Sequence, residues 1–176
     1  MSTLIGFLRA INLAGKRTFS PQQIVACLEA AGFTDVATHI NTGNVRLTTT
    51  MRSRDKVVAA MERAFLDDRG FEVPVALLTP AEVRAVADEL DEVGEGHEGR
   101  HYVSFLPQEP SAEVVTALHA LEAPGERVVP RGRAVHLLLG PDYHRSRLTN
   151  TAVERVAGMA TNRNRTVVEA IAAKWC

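Results

Sequence analysis

Cysteine is scarce in this chain, with two in 176 residues, Cys27 and Cys176. Two cysteines build no disulfide framework, so the fold must rest on its apolar core, and a reducing cytoplasm is the compartment that fits. Cys27 stands at helical spacing among Ile24, Val25 and Leu28 and reads as a core residue. Aromatic residues make up only 5% of the chain, which supplies little for stacking single-stranded bases. An excess of one charge is missing too. The 20 Lys and Arg face 21 Asp and Glu, for a net charge of -1, so bulk electrostatics argues for neither nucleic acid nor membrane. No run approaches the roughly 18 apolar residues of a spanning helix. The opening Met1 to Leu8 lacks a basic leader and a small-residue cleavage site, so no signal peptide is expected.

What is present is the composition of a globular protein, 45% apolar and 23% charged, far from the disordered class. The length accommodates one domain or two small ones. Residues 4–9 read as a strand. Ser20-Pro21-Gln22-Gln23 combines an N-cap, a first-turn proline and a capping-box glutamine, and predicts a helix that stops at Gly32. Val36 to Ile40 and Val45 to Thr49 form a hairpin across Asn41-Thr42-Gly43-Asn44. A helix over about 54–69 presents Val57, Val58, Met61, Ala64 and Phe65 on one face and ends at Gly70. Val73 to Leu78 is the fourth strand. This order is βαββαβ, the ferredoxin-like pattern.

Thr79-Pro80-Ala81-Glu82 starts a linking helix that dissolves into Gly94, Gly96 and Gly99. The theme then repeats. Strand 101–106 leads to a helix capped by Ser111, and a hairpin follows from Arg127–Val129 and Ala134–Leu139. Thr151-Ala152-Val153-Glu154 reads as a capping box, followed by a short strand at Thr161–Arg163 and a terminal helix over about 165–174. The expectation is α+β: two tandem ferredoxin-like units with antiparallel sheets, at 1–79 and 101–176, joined by residues 80–100.

Charge is segregated although it sums near zero. Glu82 to Glu98 carries seven acids and one arginine, whereas Arg127 to Arg165 carries eight arginines and two acids. His97-Glu98-Gly99-Arg100-His101 spells the H-E-x-x-H zinc string, but glycines break the helix that the string requires, and no third ligand follows. Gly15-Lys16 lacks the Walker spacing, and with Asn12, Arg17 and the helix start at Ser20 it suggests at most a generic anion-holding loop. The third strand has no aromatic, which rules out an RNA-recognition sheet. No Gly-x-Ser-x-Gly elbow and no Cys-x-x-Cys occurs. Two polar segments stand out, Tyr143 to Asn150 and Thr161 to Asn164, each just before a helix and each rich in forked or amide donors.

Phe7-Leu8-Arg9-Ala10-Ile11-Asn12-Leu13-Ala14-Gly15-Lys16 resembles the Leu-Arg-Gly-Ile-Asn-Val-Gly-Gly-Lys opening of the bacterial domain of unknown function 1697. Thr42-Gly43-Asn44-Val45, Arg145-Ser146-Arg147-Leu148-Thr149-Asn150 and Thr161-Asn162-Arg163-Asn164 are similar to three further motifs of that family, in the same order. Ala10 and Ala14 replace glycines, and Arg165 stands where the family has Trp. The resemblance implies a small cytoplasmic bacterial α+β protein with no established activity, and it supplies no catalytic residues. The four segments are expected to converge. They would gather Arg9, Asn12, Lys16, Asn44, Arg147, Asn150, Arg163 and Asn164 around an anionic ligand, either a nucleotide or a nucleic-acid phosphate. Two alternatives stand beside this one. The first is a small enzyme on a phosphorylated or acyl substrate, with His39 or His144 as base. The second is a structural role for the same residues, with function in protein partners. No motif asks for a cofactor or a metal, and no membrane partner is expected.

Overall fold

Local signals in the sequence set the first elements. The computed structural model describes residues 1–13 and 16–176. β1 (Ser2–Leu8) is followed by α1 (Pro21–Ala30), where the Ser20 hydroxyl accepts the Gln23 N–H and the Gln23 side chain accepts the Ser20 N–H. This reciprocal box satisfies two donors that a helix start otherwise leaves open. β2 (Thr34–His39) and β3 (Asn44–Thr49) form the hairpin, and α2 (Arg54–Arg69) starts under a Ser53 cap. Gly70 ends α2 in the left-handed conformation at φ 74°, with its N–H on Leu66 O. β4 (Val75–Leu78) closes the first sheet, whose order is β2-β3-β1-β4, antiparallel throughout. Ile24 and Leu28 of α1 and Val57, Met61 and Phe65 of α2 pack on this sheet. Phe19 meets Phe65 edge to face at 5.2 Å, and burying each ring is worth about 1.5–3 kcal/mol.

The chain divides into two compact units, Met1–Pro80 (with Trp175) and Ala81–Lys174 (with Cys176). α3 (Pro80–Asp88) and the single turn α4 (Leu90–Val93) meet at Glu89. β5 (Arg100–Phe105), α5 (Ala112–His119), β6 (Arg127–Arg131), β7 (Ala134–Leu139), α6 (Asn150–Ala157), β8 (Thr161–Asn164) and α7 (Arg165–Trp175) complete the second unit. Its sheet order, β6-β7-β5-β8, repeats that of the first. Each unit is therefore a ferredoxin-like βαββαβ sheet. A 3-10 turn at Tyr143–Arg145, not expected from the sequence, precedes α6.

One helix start differs from the expectation. The cap of α6 is Thr149, whose hydroxyl accepts the Ala152 N–H at 3.2 Å, so Thr151 lies inside the helix. Glu154 follows Thr151 at box spacing, yet its carboxylate instead accepts the Ala160 N–H beyond the helix end. Among the described residues, no helix is long and apolar enough to cross a membrane.

The alternation of β5 and β7 gives the second sheet two different faces. Tyr102, Val135, Leu137 and Leu139 face a core completed by Leu118 of α5 and Val153 of α6. Residues of opposite parity, His101 and His136 among them, take the other face. The register pairs His101 with Leu138 and Val103 with His136, so the two imidazoles are diagonal neighbours.

Candidate functional site

The residues singled out in the sequence fall into two groups. In the first unit, the Asn12 amide holds a loop together. Its Nδ2 donates to Phe19 O at 2.9 Å and Asn41 O at 2.7 Å, and its Oδ1 accepts the Phe19 N–H at 2.8 Å. Its backbone is left-handed at φ 53°, a conformation that Asn tolerates better than most residues. Asn44 is fully buried, and its Nδ2 donates to His39 O and Thr42 Oγ1, both at 3.0 Å. Asn12 and Asn44 thus meet the same hairpin turn from two sides. Arg9 is half-buried at the end of β1, with its backbone N–H on Pro74 O. Arg17 Nε donates to Ala10 O at 2.7 Å, its Nη2 donates to Glu72 O, and its guanidinium lies 4.7 Å above the Phe71 ring. Lys16 is exposed, with no side-chain partner among the described residues. Ala14 and Gly15, part of the proposed anion loop, lie outside the described residues.

In the second unit, Asn150 Oδ1 accepts the hydroxyl of fully buried Ser104 at 2.9 Å, and its Nδ2 donates to Ala160 O at 2.9 Å. Arg163 is only 7% exposed and donates to Thr161 Oγ1 and Asn162 O. Burial pulls its pKa down to about 10, which leaves it a cation at neutral pH. Asn164 caps α7 by accepting the Val167 N–H at 2.9 Å. Arg147 is exposed and, among the described residues, its side chain makes no hydrogen bond or ion pair. His39 ends β2, and exposed His144 lies edge-on to Tyr143.

A different set of residues surrounds a polar cleft of about 250 Å³ in the second unit. Gly94, His97 and residues 99–102 line one side, and residues 164–166 at the start of α7 line the other. His97 Nε2 donates to Leu139 O at 2.9 Å. Arg100 places its guanidinium 4.9 Å over the Tyr143 ring and has no carboxylate partner among the described residues. Arg165 donates to Glu169 at 2.7 Å, to Asp91, and to Leu90 O at 3.4 Å. Those two carboxylates, Asp91 first, push its pKa up and answer its charge. A side chain at Gly94 would begin 3.3 Å from His101 Nδ1 and 3.5 Å from Arg165 Nη1, so the glycine keeps the cleft open. His97 and His101 occupy a loop and a strand, so the H-E-x-x-H string has no helical face here.

His101 is 9% exposed and His136 fully buried, and they share a hydrogen bond, with Nε2 of the first 2.9 Å from Nδ1 of the second. Glu89 Oε2 lies 3.8 Å from His136 Nε2. Burial lowers both imidazole pKa values to about 4, helped at His101 by Arg165 and at His136 by His101. The sequence carries one signal for this pair. Aligning strands 101–106 and 134–139 as antiparallel neighbours puts both imidazoles on one face.

The family described as "Protein of unknown function (DUF1697)" matches residues 1–136. The chain belongs to this family. The match contains the first two motif segments of the DUF1697 resemblance and the His101–His136 pair, and the segments at 145–150 and 161–164 lie beyond it. A conserved bacterial protein from Streptococcus pneumoniae has a similar solved structure, with a TM-score of 0.80 and 20% identity, covering 99% of this chain and 98% of that one. That likeness concerns the fold. No curated protein matches the chain.

Within this DUF1697 chain, the Asn12 contacts make a direct prediction. Asn12→Ala removes three hydrogen bonds and leaves a β-carbon on a left-handed backbone, so stability should fall by about 2–3 kcal/mol. Urea denaturation measures this. A variant as stable as wild type that had lost affinity for anions would assign Asn12 to a ligand instead.

Proposed function

We propose that the second unit binds a small anion in the cleft at the start of α7. The observation that carries this reading is the polar cleft itself, which sets Arg100, Asn164 and the start of α7 around one small space. Around it the chemistry favours negative charge. The first turn of α7 carries N–H groups with no intrahelical acceptor and the positive end of the helix dipole. Arg100 adds a cation not already claimed by a carboxylate. The cleft volume, about 250 Å³, falls below the roughly 300–1,000 Å³ of sites for drug-sized ligands. This size favours a small molecule over a polynucleotide. Of the eight residues selected from sequence, Asn164 lines this cleft.

Thermal unfolding of the full chain with inorganic phosphate, at low and moderate salt, tests the reading. Ligand at 100 times its Kd stabilises the native state by about 2.7 kcal/mol, a plain upward shift in Tm. Arg100→Ala should abolish most of that shift with little change in the ligand-free Tm. A shift that Arg100→Ala leaves intact would move the site elsewhere. A shift produced only by DNA or RNA, with a steep salt slope, would favour the nucleic-acid alternative.

A further inference from the structure

We infer that His97 tests the anion in the cleft for a proton: its Nδ1 accepts a hydrogen bond, so the site selects a small oxyanion that carries its own O–H over one that carries none. Hydrogen phosphate is the simplest member of that class. The inference rests on the anion-site reading above and names the ligand class of that site.

A carbonyl oxygen only accepts, so the contact of His97 Nε2 with Leu139 O at 2.9 Å places a proton on Nε2. A neutral imidazole protonated there keeps a lone pair on Nδ1. The corner that holds Nε2 is closed. Gly99 crosses it with φ 150°, and a β-carbon on Gly99 would lie 3.1 Å from His97 Nε2 and 2.0 Å from Leu139 O. Backbone thus pins the ring by one nitrogen and sets its tautomer before any ligand arrives.

The second nitrogen is placed differently. Nδ1 has no hydrogen-bond partner among the described residues, and unlike His101 Nδ1 it is not sealed from solvent. His97 lines the same cleft as Arg100 and the first turn of α7. A guanidinium and backbone N–H groups only donate, so they hold an anion by its charge whether or not it carries a hydrogen. A lone pair beside them accepts from an oxygen that has a hydrogen and repels one that has none. Arg100 and α7 answer the charge, and His97 answers the proton. Sulfate and hydrogen phosphate separate the two functions. At pH 8 they share a tetrahedral shape and a double negative charge, and differ by one O–H.

The experiment titrates the full chain with phosphate and with sulfate at pH 8 and equal ionic strength. Phosphate should bind about tenfold tighter, the worth of one hydrogen bond set against a lone pair left facing an oxyanion. Equal affinities, or tighter sulfate, would refute the selection and leave the anion site standing; binding of neither would remove both. His97→Gln puts an amide donor in the place of Nε2, within reach of Leu139 O, and removes the acceptor from the Nδ1 position. It should bind the two anions alike, with a ligand-free Tm close to wild type. A tenfold ratio that survives in His97→Gln would take the selection away from His97. With 15N-labelled histidine, long-range proton–nitrogen correlation should show His97 protonated on Nε2 without ligand. Its Nδ1 resonance should move with phosphate and stay with sulfate. A proton on Nδ1 in the ligand-free protein, or a resonance that moves alike with both anions, would overturn the inference.

Discussion

Lowering the pH from 7 to 4.5 should destabilise this protein. His101 and His136 each have a folded-state pKa of about 4 against an ordinary value of 6.5. Above pH 6.5 both rings are neutral in the folded and unfolded states, and their contribution is complete. As pH falls through 6.5 the unfolded chain takes up protons that the folded pair refuses, so the balance tips toward unfolding until about pH 4, where the folded rings also protonate. Each ring contributes a slope of at most about 1.4 kcal/mol per pH unit in that window. The hydrogen-bonded pair titrates as a unit, so its protons bind in steps that belong to the pair rather than to either ring. Glu122 is held below the ordinary carboxylate range by the Val128 N–H, so its contribution is complete above pH 4.5 and fades as pH falls below that value, at the acid end of this window. Chemical denaturation at fixed ionic strength from pH 7 to 4.5 measures the effect. A flat profile across that range would mean that the pair is not buried and neutral as described.

Gly99→Ala should be among the most damaging single substitutions. Gly99 has φ 150°, and a β-carbon there would sit 2.0 Å from Leu139 O and 3.1 Å from the Gly140 carbonyl carbon. Both obstacles are backbone, so no side chain can swing aside. The loop must lift away from the end of β7, which also breaks the His97 contact to Leu139 O. Backbone strain and overpacking together should cost about 3–4 kcal/mol, read as a fall in the denaturation midpoint. The cleft lined by His97, Gly99 and Arg100 would lose its shape with it. Gly96→Ala is the control: its φ is also positive, at 67°, but nothing stands within 4 Å. A Gly99→Ala protein no less stable than Gly96→Ala would disprove the close crossing.

Legibility in the sequence followed the physics of each feature. Caps at Ser20, Ser53 and Ser111 were readable because an N-cap is a local bargain between one side chain and a nearby N–H. The start of α6 misled because Thr149 and Thr151 both suit a cap, and only backbone geometry chooses between them. The strand order of each unit followed from the βαββαβ pattern, which leaves few ways to pair the strands. The roles of Asn12, Asn44 and Asn150 were not legible. An amide that ties two loops and an amide that waits for a ligand look identical in sequence, because both sit among turn residues and both offer the same donors. Arg163 is a further case, a forked cation before a helix, which the structure buries with donor bonds to Thr161 and Asn162 of its own strand. The His101–His136 pair was hidden for another reason. It depends on register across residues 35 positions apart, and the H-E-x-x-H string drew attention to the wrong partner.

The outer strands of the two sheets carry one more consequence. β2 has a register shift between Thr34 and Ala37, where Asp35 adopts a left-handed backbone at φ 50°. β6 places Pro130, which has no N–H, within its pairing with β7. β4 and β8 at the opposite edges are only four residues long each. A strand from another molecule seeking a continuous ladder of donors and acceptors would find it kinked at β2, interrupted at β6 and cut short at β4 and β8. Both sheets are therefore poor templates for a fifth strand, and the backbone itself guards against cross-β aggregation.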